Sequence, residues 1–386
     1  MSRIDDLIAE YCPDGVKHQT LGEIGEFIRG NGIQKRDFQD SGFGCIHYGQ
    51  IYTYYGLFAD HTKSFIDPNL AEKRKKAYKG DLVIATTSEN EEDVCKACAW
   101  LGEEPIAISG DAYIFRHHQN PKYISYCFQS ELFQSQKKKY ITGTKVLRVN
   151  GDAMAKIHVP VPPLPVQEEI VRILDSFSSL EAELEAELEA RRKQYTHYRD
   201  ELLKFERVLI ASLGELCKIS VGRKNGTAGE FGEYPYVNAG TSMSGFVNEW
   251  SEEGDCVTTP SRGQGGMGFV AYQASRFWCG PLCYVMRSKH SDVMIKYVYY
   301  YLCSHKADIL GLVHEGGTPA INKSELAGLR ILVPPFEEQQ RIVSILDRFD
   351  ELTNDLSSGL PAEIEARHKQ YEYYRDRLLS FDELAA

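Results

Sequence analysis

Val161-Pro162-Pro163-Leu164, followed by Ile170-Val171-Arg172-Ile173-Leu174-Asp175-Ser176-Phe177, returns 172 residues later as Val333-Pro334-Pro335-Phe336 and Ile342-Val343-Ser344-Ile345-Leu346-Asp347-Arg348-Phe349. Further on, Glu189-Ala190-Arg191-Arg192-Lys193-Gln194-Tyr195 and Tyr198-Arg199-Asp200 return as Glu365-Ala366-Arg367-His368-Lys369-Gln370-Tyr371 and Tyr374-Arg375-Asp376, now at an offset of 176. The second copy therefore carries four extra residues in mid-segment. Toward the N-terminus the matches are fainter but keep their order. Leu21-Gly22-Glu23-Ile24 recurs as Leu213-Gly214-Glu215-Leu216, and Gly80-Asp81 as Gly254-Asp255. Lys122-Tyr123-Ile124 with Tyr126 recurs as Lys296-Tyr297-Val298 with Tyr300, and Gly143-Thr144 as Gly317-Thr318. Repetition in a conserved order marks a duplicated module. Each copy runs from a variable globular part to a well-matched helical part.

The helical parts follow from the spacing of apolar residues. In the first copy Ile170, Ile173, Phe177, Leu180, Leu184, Leu188, Tyr195 and Tyr198 are spaced mostly by three or four, which lines one face of a helix. Between them Glu, Ala and Leu, all strong helix formers, dominate. This predicts a helix over Val166 to Phe205, ~40 residues and ~60 Å long. The consecutive steps of four at Leu180, Leu184 and Leu188 are a stutter in the coiled-coil repeat. The second copy repeats the stripe with Ile342, Ile345, Phe349, Leu352, Leu356, Ile364, Tyr371 and Tyr374, over a helix running from Arg341 to Phe381. Gly359 and Pro361 predict a kink or break within it. Two similar striped helices in one chain bury their stripes by pairing, and the expected arrangement is antiparallel.

The globular parts mix strand-like runs with helices. In the first, Leu82 to Ala85 and Ala112 to Phe115 read as strands and Pro121 to Lys138 as one helix, its stripe Tyr123, Tyr126, Cys127 and Phe133 facing a core. In the second, strands are expected at Cys256 to Thr259, Phe269 to Tyr272 and Cys283 to Met286, and a helix at Val293 to Leu310. The fold class is α+β: two mixed α/β domains separated by two long helices that pair as an antiparallel coiled coil. The expected division is 1–160 and 209–332 for the domains, 161–208 and 333–386 for the helices.

The net charge of −11 argues against nucleic acid until its distribution is examined. Residues 1–160 hold 20 basic and 21 acidic side chains, and residues 209–332 hold 11 of each. The excess acid sits in 161–208 (7 against 11) and 333–386 (6 against 12). Phosphate binding depends on local rather than net charge, so the near-neutral modules remain candidates and the acidic helices do not.

The side chains suited to base edges and phosphates gather in loops. In the first module these are Arg29, Lys35 and Arg36 among glycines, Tyr48, Gln50 and Tyr52 in an aromatic segment, Thr86, Thr87 and Ser88 after a strand, and Lys145 behind Gly143-Thr144. In the second they are Arg223 and Lys224, then Asn238, Thr241 and Ser242, then Thr259, Ser261, Arg262 and Gln264. Gly263, Gly265 and Gly268 spell GxGxxG, but Phe269-Val270-Ala271-Tyr272 reads as a strand, so a hairpin loop is expected rather than a dinucleotide site. The ten cysteines are expected as free thiols. The pairs Cys95 and Cys98, and Cys279 and Cys283, differ in spacing and read as buried small side chains rather than zinc ligands. There is no P-loop, HExxH or GxSxG motif, and no coherent active site. With neither a signal pattern nor a long apolar run, a soluble cytoplasmic protein is expected.

The repeated block Val-Pro-x-Pro-Pro-Leu-x-x-Gln-x-x-Ile-Val-x-Ile-Leu-Asp-x-Phe at 159–177, altered at 333–349, resembles the helical region of type I restriction-modification specificity subunits. The tail Glu-Ala-Arg-x-Lys-Gln-Tyr-x-x-Tyr-Arg-Asp-x-Leu-Leu, at 189–203 and 365–379, is similar to the same family. The resemblance covers nearly the whole chain. It implies a non-catalytic subunit whose two target-recognition domains each read half of a bipartite DNA sequence, with helices that set the gap and dock two methyltransferase subunits. It implies no cofactor in this chain; S-adenosylmethionine, ATP and magnesium would belong to the methyltransferase and to the restriction and translocase subunits. The absence of an Asn/Asp-Pro-Pro-Tyr motif speaks against methyl transfer by this chain itself.

Overall fold

A computed structural model describes residues 3–223, 228–314, 316–354 and 358–384. It divides into two compact units, Met1–Glu183 with Glu365–Ala386, and Leu184–Ile364.

The first unit is organised on a five-stranded sheet. Its strands are β1 (Gly25–Arg29), β2 (Phe58–Ala59), β3 (Leu82–Ala85), β4 (Ala97–Trp100) and β5 (Ala112–His117), in the order β1-β5-β3-β4-β2. All neighbours are antiparallel except β4 and β2. Every residue of β3 and β4 is buried because both faces of the sheet are covered. The pleat sends alternate side chains to opposite faces. Leu82 and Ile84 join Phe115 and the helix residues Tyr123, Ile124 and Tyr126 in one core cluster. Val83 and Ala85 join Ile46, Ile51 and Trp100 in another.

The second unit repeats this frame with β6 (Cys217–Val221), β7 (Cys256–Pro260), β8 (Ala271–Gln273) and β9 (Cys283–Ser288), in the order β6-β9-β7-β8. The register is conserved as well. Tyr113 lies between Arg29 and Ile84, and Tyr284 lies between Val221 and Thr259. Both units add a small sheet containing a parallel pair, Phe43–Ile46 with Ile106–Ile108 in one and Tyr234–Val237 with Trp278–Cys279 in the other. The GxGxxG segment links β7 to β8, whose antiparallel pairing of Val257 with Tyr272 makes it a hairpin. The second strand expected in this module is shorter, Ala271–Gln273 rather than Phe269 to Tyr272.

Two expected helices are each divided. Pro121 to Lys138 forms α1 (Pro121–Gln129) and a second helix, Glu131–Lys137. Between them the Ser130 Oγ donates to the Cys127 carbonyl and accepts from the Phe133 N–H, ending one helix and capping the next. In the second unit, Val293 to Leu310 forms α3 (Ile295–Ser304) and Lys306–Leu310, divided at His305.

Between these two in sequence lies the long helix α2 (Leu164–Leu202), 39 residues in place of the expected Val166 to Phe205. The second helical region is two helices, α4 (Phe336–Asn354) and α5 (Leu360–Leu378). Pro361 sits in the first turn of α5, where its missing N–H leaves no bond unmade. Of the stripe residues, Leu356 lies outside the described residues.

In the first unit, the Phe177 ring of α2 stacks on Tyr374 of α5 with centroids 5.4 Å apart, and Glu181 meets His368 at 2.8 Å. In the second unit, Tyr198 of α2 stacks on Phe349 of α4 at 5.7 Å, with Tyr195 beside it at 6.2 Å. In the second unit Arg192 also donates to the Thr353 carbonyl at 3.5 Å, so in each unit rising numbers along α2 meet falling numbers along its partner, an antiparallel helix pair. Ile170 and Ile342 are fully buried in their module cores, Ile173 packs against the first core, and Leu180, Tyr198 and Leu352 are exposed. Leu184, Leu188, Ile345 and Ile364 are half-buried, and Tyr371 is buried. Among the described residues no helix is long and apolar enough to cross a membrane.

Candidate nucleic-acid interface

The repeated block is the socket in which each globular module is held. In the first unit Asp175 of α2 accepts from Lys122 Nζ and Tyr126 Oη of α1, both at 2.7 Å. In the second, Asp347 of α4 accepts from Lys296 Nζ at 2.7 Å and Tyr300 Oη at 2.5 Å. Burial, reinforced by the carboxylate, pushes both phenols up. Gln167 and Gln339 make the matching junctions. Each accepts a backbone N–H at the start of the module helix, from Asn120 at 3.0 Å and Met294 at 2.9 Å, and donates to the carbonyl of Pro162 or Pro334.

The tail motifs are exchanged between copies. Asp376 and Tyr371 of the second copy's α5 hold the first module, through the Glu131 N–H at 3.0 Å and Gln129 Oε1 at 3.1 Å. Asp200, in the first copy's α2, holds the second module through Ser304 Oγ at 2.8 Å. Each module therefore stands on its own copy's head motif and the other copy's tail. This fixes the module helices and, through them, the sheets whose strand ends carry the polar loops.

Of the sequence-selected residues in the first unit, Arg29, Lys35, Arg36 and Lys145 are exposed. Lys35 and Arg36 lie on a 3-10 turn, Lys35–Asp37. Thr87 and Ser88 form a short half-buried strand that pairs with Arg148 and Leu147. The rest turn inward. Gln50 donates to Ser64 Oγ at 2.7 Å and accepts from the His47 N–H at 2.9 Å, so both ends of its amide are used. Tyr52 donates to the Thr87 carbonyl at 2.8 Å, and burial pushes its phenol up. Thr86 is buried and donates to the Asp111 carbonyl at 3.2 Å. Tyr48 is half-buried, its N–H on Ser109 Oγ.

In the second unit Arg223, Thr241, Ser242, Arg262 and Gln264 are exposed, and Lys224 lies outside the described residues. Asn238 accepts from the Leu282 N–H at 2.9 Å. Thr259 is fully buried and donates to the Phe269 carbonyl at 2.8 Å. Ser261 is half-buried and its carbonyl accepts from the Ile321 N–H at 3.0 Å. Gln50, Tyr52, Thr86, Asn238 and Thr259 thus shape the loops from within, and exposed cations and hydroxyls remain at the strand ends.

Sequence reasoning passed over two residues at the same place. Arg148 pairs in register with Thr87, and Asp111 lies just before β5. Together with Arg29, Thr87, Tyr113 and Tyr140 they line a cleft of about 250 Å³. Thr87 lies two residues beyond the end of β3; the equivalent position beyond β7 holds Arg262, which pairs with Ala320.

All ten cysteines are free, and nine of them, including Cys95, Cys98, Cys279 and Cys283, are buried. Among the described residues no group of three or more His, Cys, Asp or Glu side chains is disposed to hold a metal.

A family model described as the type I restriction modification DNA specificity domain matches residues 13–190 and 208–366. The chain is 35% identical over 273 residues to the EcoR124I/EcoR124II specificity subunit of a type I restriction enzyme from Escherichia coli, a match covering 60% of this chain and 65% of that one. It is 32% identical over 244 residues to a type I specificity subunit of Mycoplasma pneumoniae, covering 59% of this chain and 94% of the other. The crystal structure of a type I restriction-modification S subunit from M. genitalium superposes with a TM-score of 0.62 at 14% identity, covering 94% of this chain and 96% of that one. A chain from a structural study of complex assembly in the type I R-M system gives 0.58 at 16% identity, over 95% and 98%. Both share the fold.

Proposed function

This chain belongs to the family of type I restriction modification DNA specificity domains, and on that premise we propose that it is the sequence-reading subunit of a type I restriction-modification complex. Each globular module, 1–160 and 209–332, reads one half of a bipartite duplex target. The helical segments, 161–208 and 333–386, set the gap between halves and dock two methyltransferase subunits. Those subunits bind S-adenosylmethionine and methylate adenine, and restriction subunits use ATP and magnesium to translocate and cut. This chain supplies recognition and no catalytic group, and works in the cytoplasm with its complex.

The observation that supports this most is the repeated clamp. Asp175 and Asp347 hold two modules of one strand order in equivalent ways, while the strand ends differ in side chains. Two unlike readers on one frame suit two unlike half-sites, much as paired readers impose half-site spacing elsewhere. Mapping methylated adenines in cells that express the chain with its methyltransferase subunits tests the reading, and a two-part motif with a fixed gap is expected. Removing four residues within Leu180 to Leu188, ~6 Å of helix, should shorten that gap by about one or two base pairs at ~3.4 Å each. An unchanged gap would count against the helices as spacer. An undivided motif would count against the whole reading.

A further inference from the structure

The cleft at the strand ends of the first module holds a mixed set of groups. Arg29 uses Nε on the Gly110 carbonyl at 3.1 Å, and its exposed guanidinium makes no ion pair among the described residues. Arg148 is exposed and likewise makes none there. Asp111 lines the same cleft. The walls are held from behind: Thr87 accepts from Tyr52, and the Thr86 carbonyl accepts from the Val149 N–H at 3.2 Å.

A phosphate site would be built from cations, hydroxyls and backbone N–H groups, and a carboxylate within it would repel the ligand. A guanidinium and a carboxylate side by side match instead the major-groove edge of one base pair. Arginine donates to guanine O6 and N7, and aspartate accepts from the cytosine N4 amine. We infer that this cleft reads a G·C pair in the half-site of the first module, with Arg148 donating to both guanine acceptors, Asp111 accepting from the cytosine amine, and Arg29, its Nε held on the Gly110 carbonyl, adding positive charge beside them. The inference rests on the DNA-reading function proposed above.

The second module shows that these residues are not required by the frame. At the equivalent register positions it has Val221 for Arg29, Arg262 for Thr87 and Ala320 for Arg148, and Leu282 precedes its β9 where Asp111 precedes β5. The same sheet folds without this donor and acceptor set, so the set is a property of what the first module contacts.

The test uses the full chain assembled with its methyltransferase subunits. Methylation mapping of Arg148→Ala and Asp111→Asn should relax one G·C position in one half of the motif, leaving the other half and the gap intact. Arg148→Lys keeps the charge but not the two-pronged geometry, so it should relax the same position. In binding, 7-deazaguanine at that position removes the N7 acceptor and should weaken the wild-type complex about tenfold, within the range for one base contact, without further weakening Arg148→Ala. Three outcomes would overturn the inference: a motif unchanged in the variants, rescue by lysine, or a uniform loss across sequences with a shallower salt dependence, which marks a phosphate contact. If the wild-type complex yields no two-part motif, the DNA-reading function itself fails, an outcome visible before any variant is made. Thermal melting of each variant checks folding, which exposed Arg148 should not disturb.

Discussion

The two globular modules agree in strand order, register and clamp, and disagree at the ends of their strands. Tyr113 and Tyr284 occupy the same place in their sheets, flanked on one side by Arg29 in the first module and Val221 in the second. The difference separates two kinds of constraint. A residue inside the sheet must satisfy hydrogen bonds and close packing at once, so substitution there is penalised. A residue just beyond a strand end meets solvent or a ligand and is free to diverge.

The equivalence of the clamps can be broken directly. Asp175→Ala and Asp347→Ala each remove a carboxylate that accepts from one lysine and one buried tyrosine. Each should destabilise its own unit by ~2 kcal/mol, the range for hydrogen bonds with a charged partner. Native-state hydrogen exchange should show the loss in α1 for one variant and α3 for the other. Unequal losses would mean that the two sockets are alike in geometry only.

A smaller difference separates the glycines that follow the module helices. Gly143 has φ +98°, and a Cβ there would lie 2.2 Å from the Val146 carbonyl oxygen. Gly317 has φ +93° with nothing among the described residues within 4 Å. Alanine should cost about 1–2 kcal/mol at Gly317 from left-handed strain alone, and more at Gly143, where the clash adds to it. Proteolytic nicking of the two loops in the respective variants would rank them, and the reverse ranking would contradict the loop geometry.

The last contrast is one of charge and appears as pH falls below neutral. His117 at the end of β5 accepts from the Gln119 N–H through Nδ1, and burial lowers its pKa to about 4; the equivalent residue of β9 is Ser288. Because the folded state disfavours the imidazolium, its contribution to stability is full above the ordinary value of 6.5 and is lost as pH falls from there through about 4. Denaturation of the wild type and His117→Ser between pH 7 and 4 should show a steeper loss in the wild type. Parallel curves would place the acid sensitivity of this unit on other groups.

Much of this architecture is legible in the chain itself. The duplication, the long α2 and the interruption at Gly359 and Pro361 all rest on periodicity and on residues with strong local preferences. The division of the module helices at Ser130 and His305 was not legible, because apolar spacing continues across both positions; at Ser130 a single cap outweighs it. Asp175 and Gln167 offered a signal that the helix stripe obscured: polar residues repeated within an apolar block need a partner elsewhere.

For the candidate site the division is sharper. Residue type gave the hydrogen-bonding capacity of Gln50, Tyr52, Thr86 and Thr259 but not its direction, and each turned out to serve the protein's own backbone or side chains. Arg148 and Asp111 carry no local pattern at all. They meet Arg29 only because β1, β5 and the strand at Thr87 are brought side by side across more than a hundred residues of chain. Local sequence settled the two copies and their helices, since propensity and periodicity act over a few turns of backbone. The exchange of tail motifs and the convergence at the strand ends were decided by tertiary packing, because which distant surfaces bury one another depends on the whole fold.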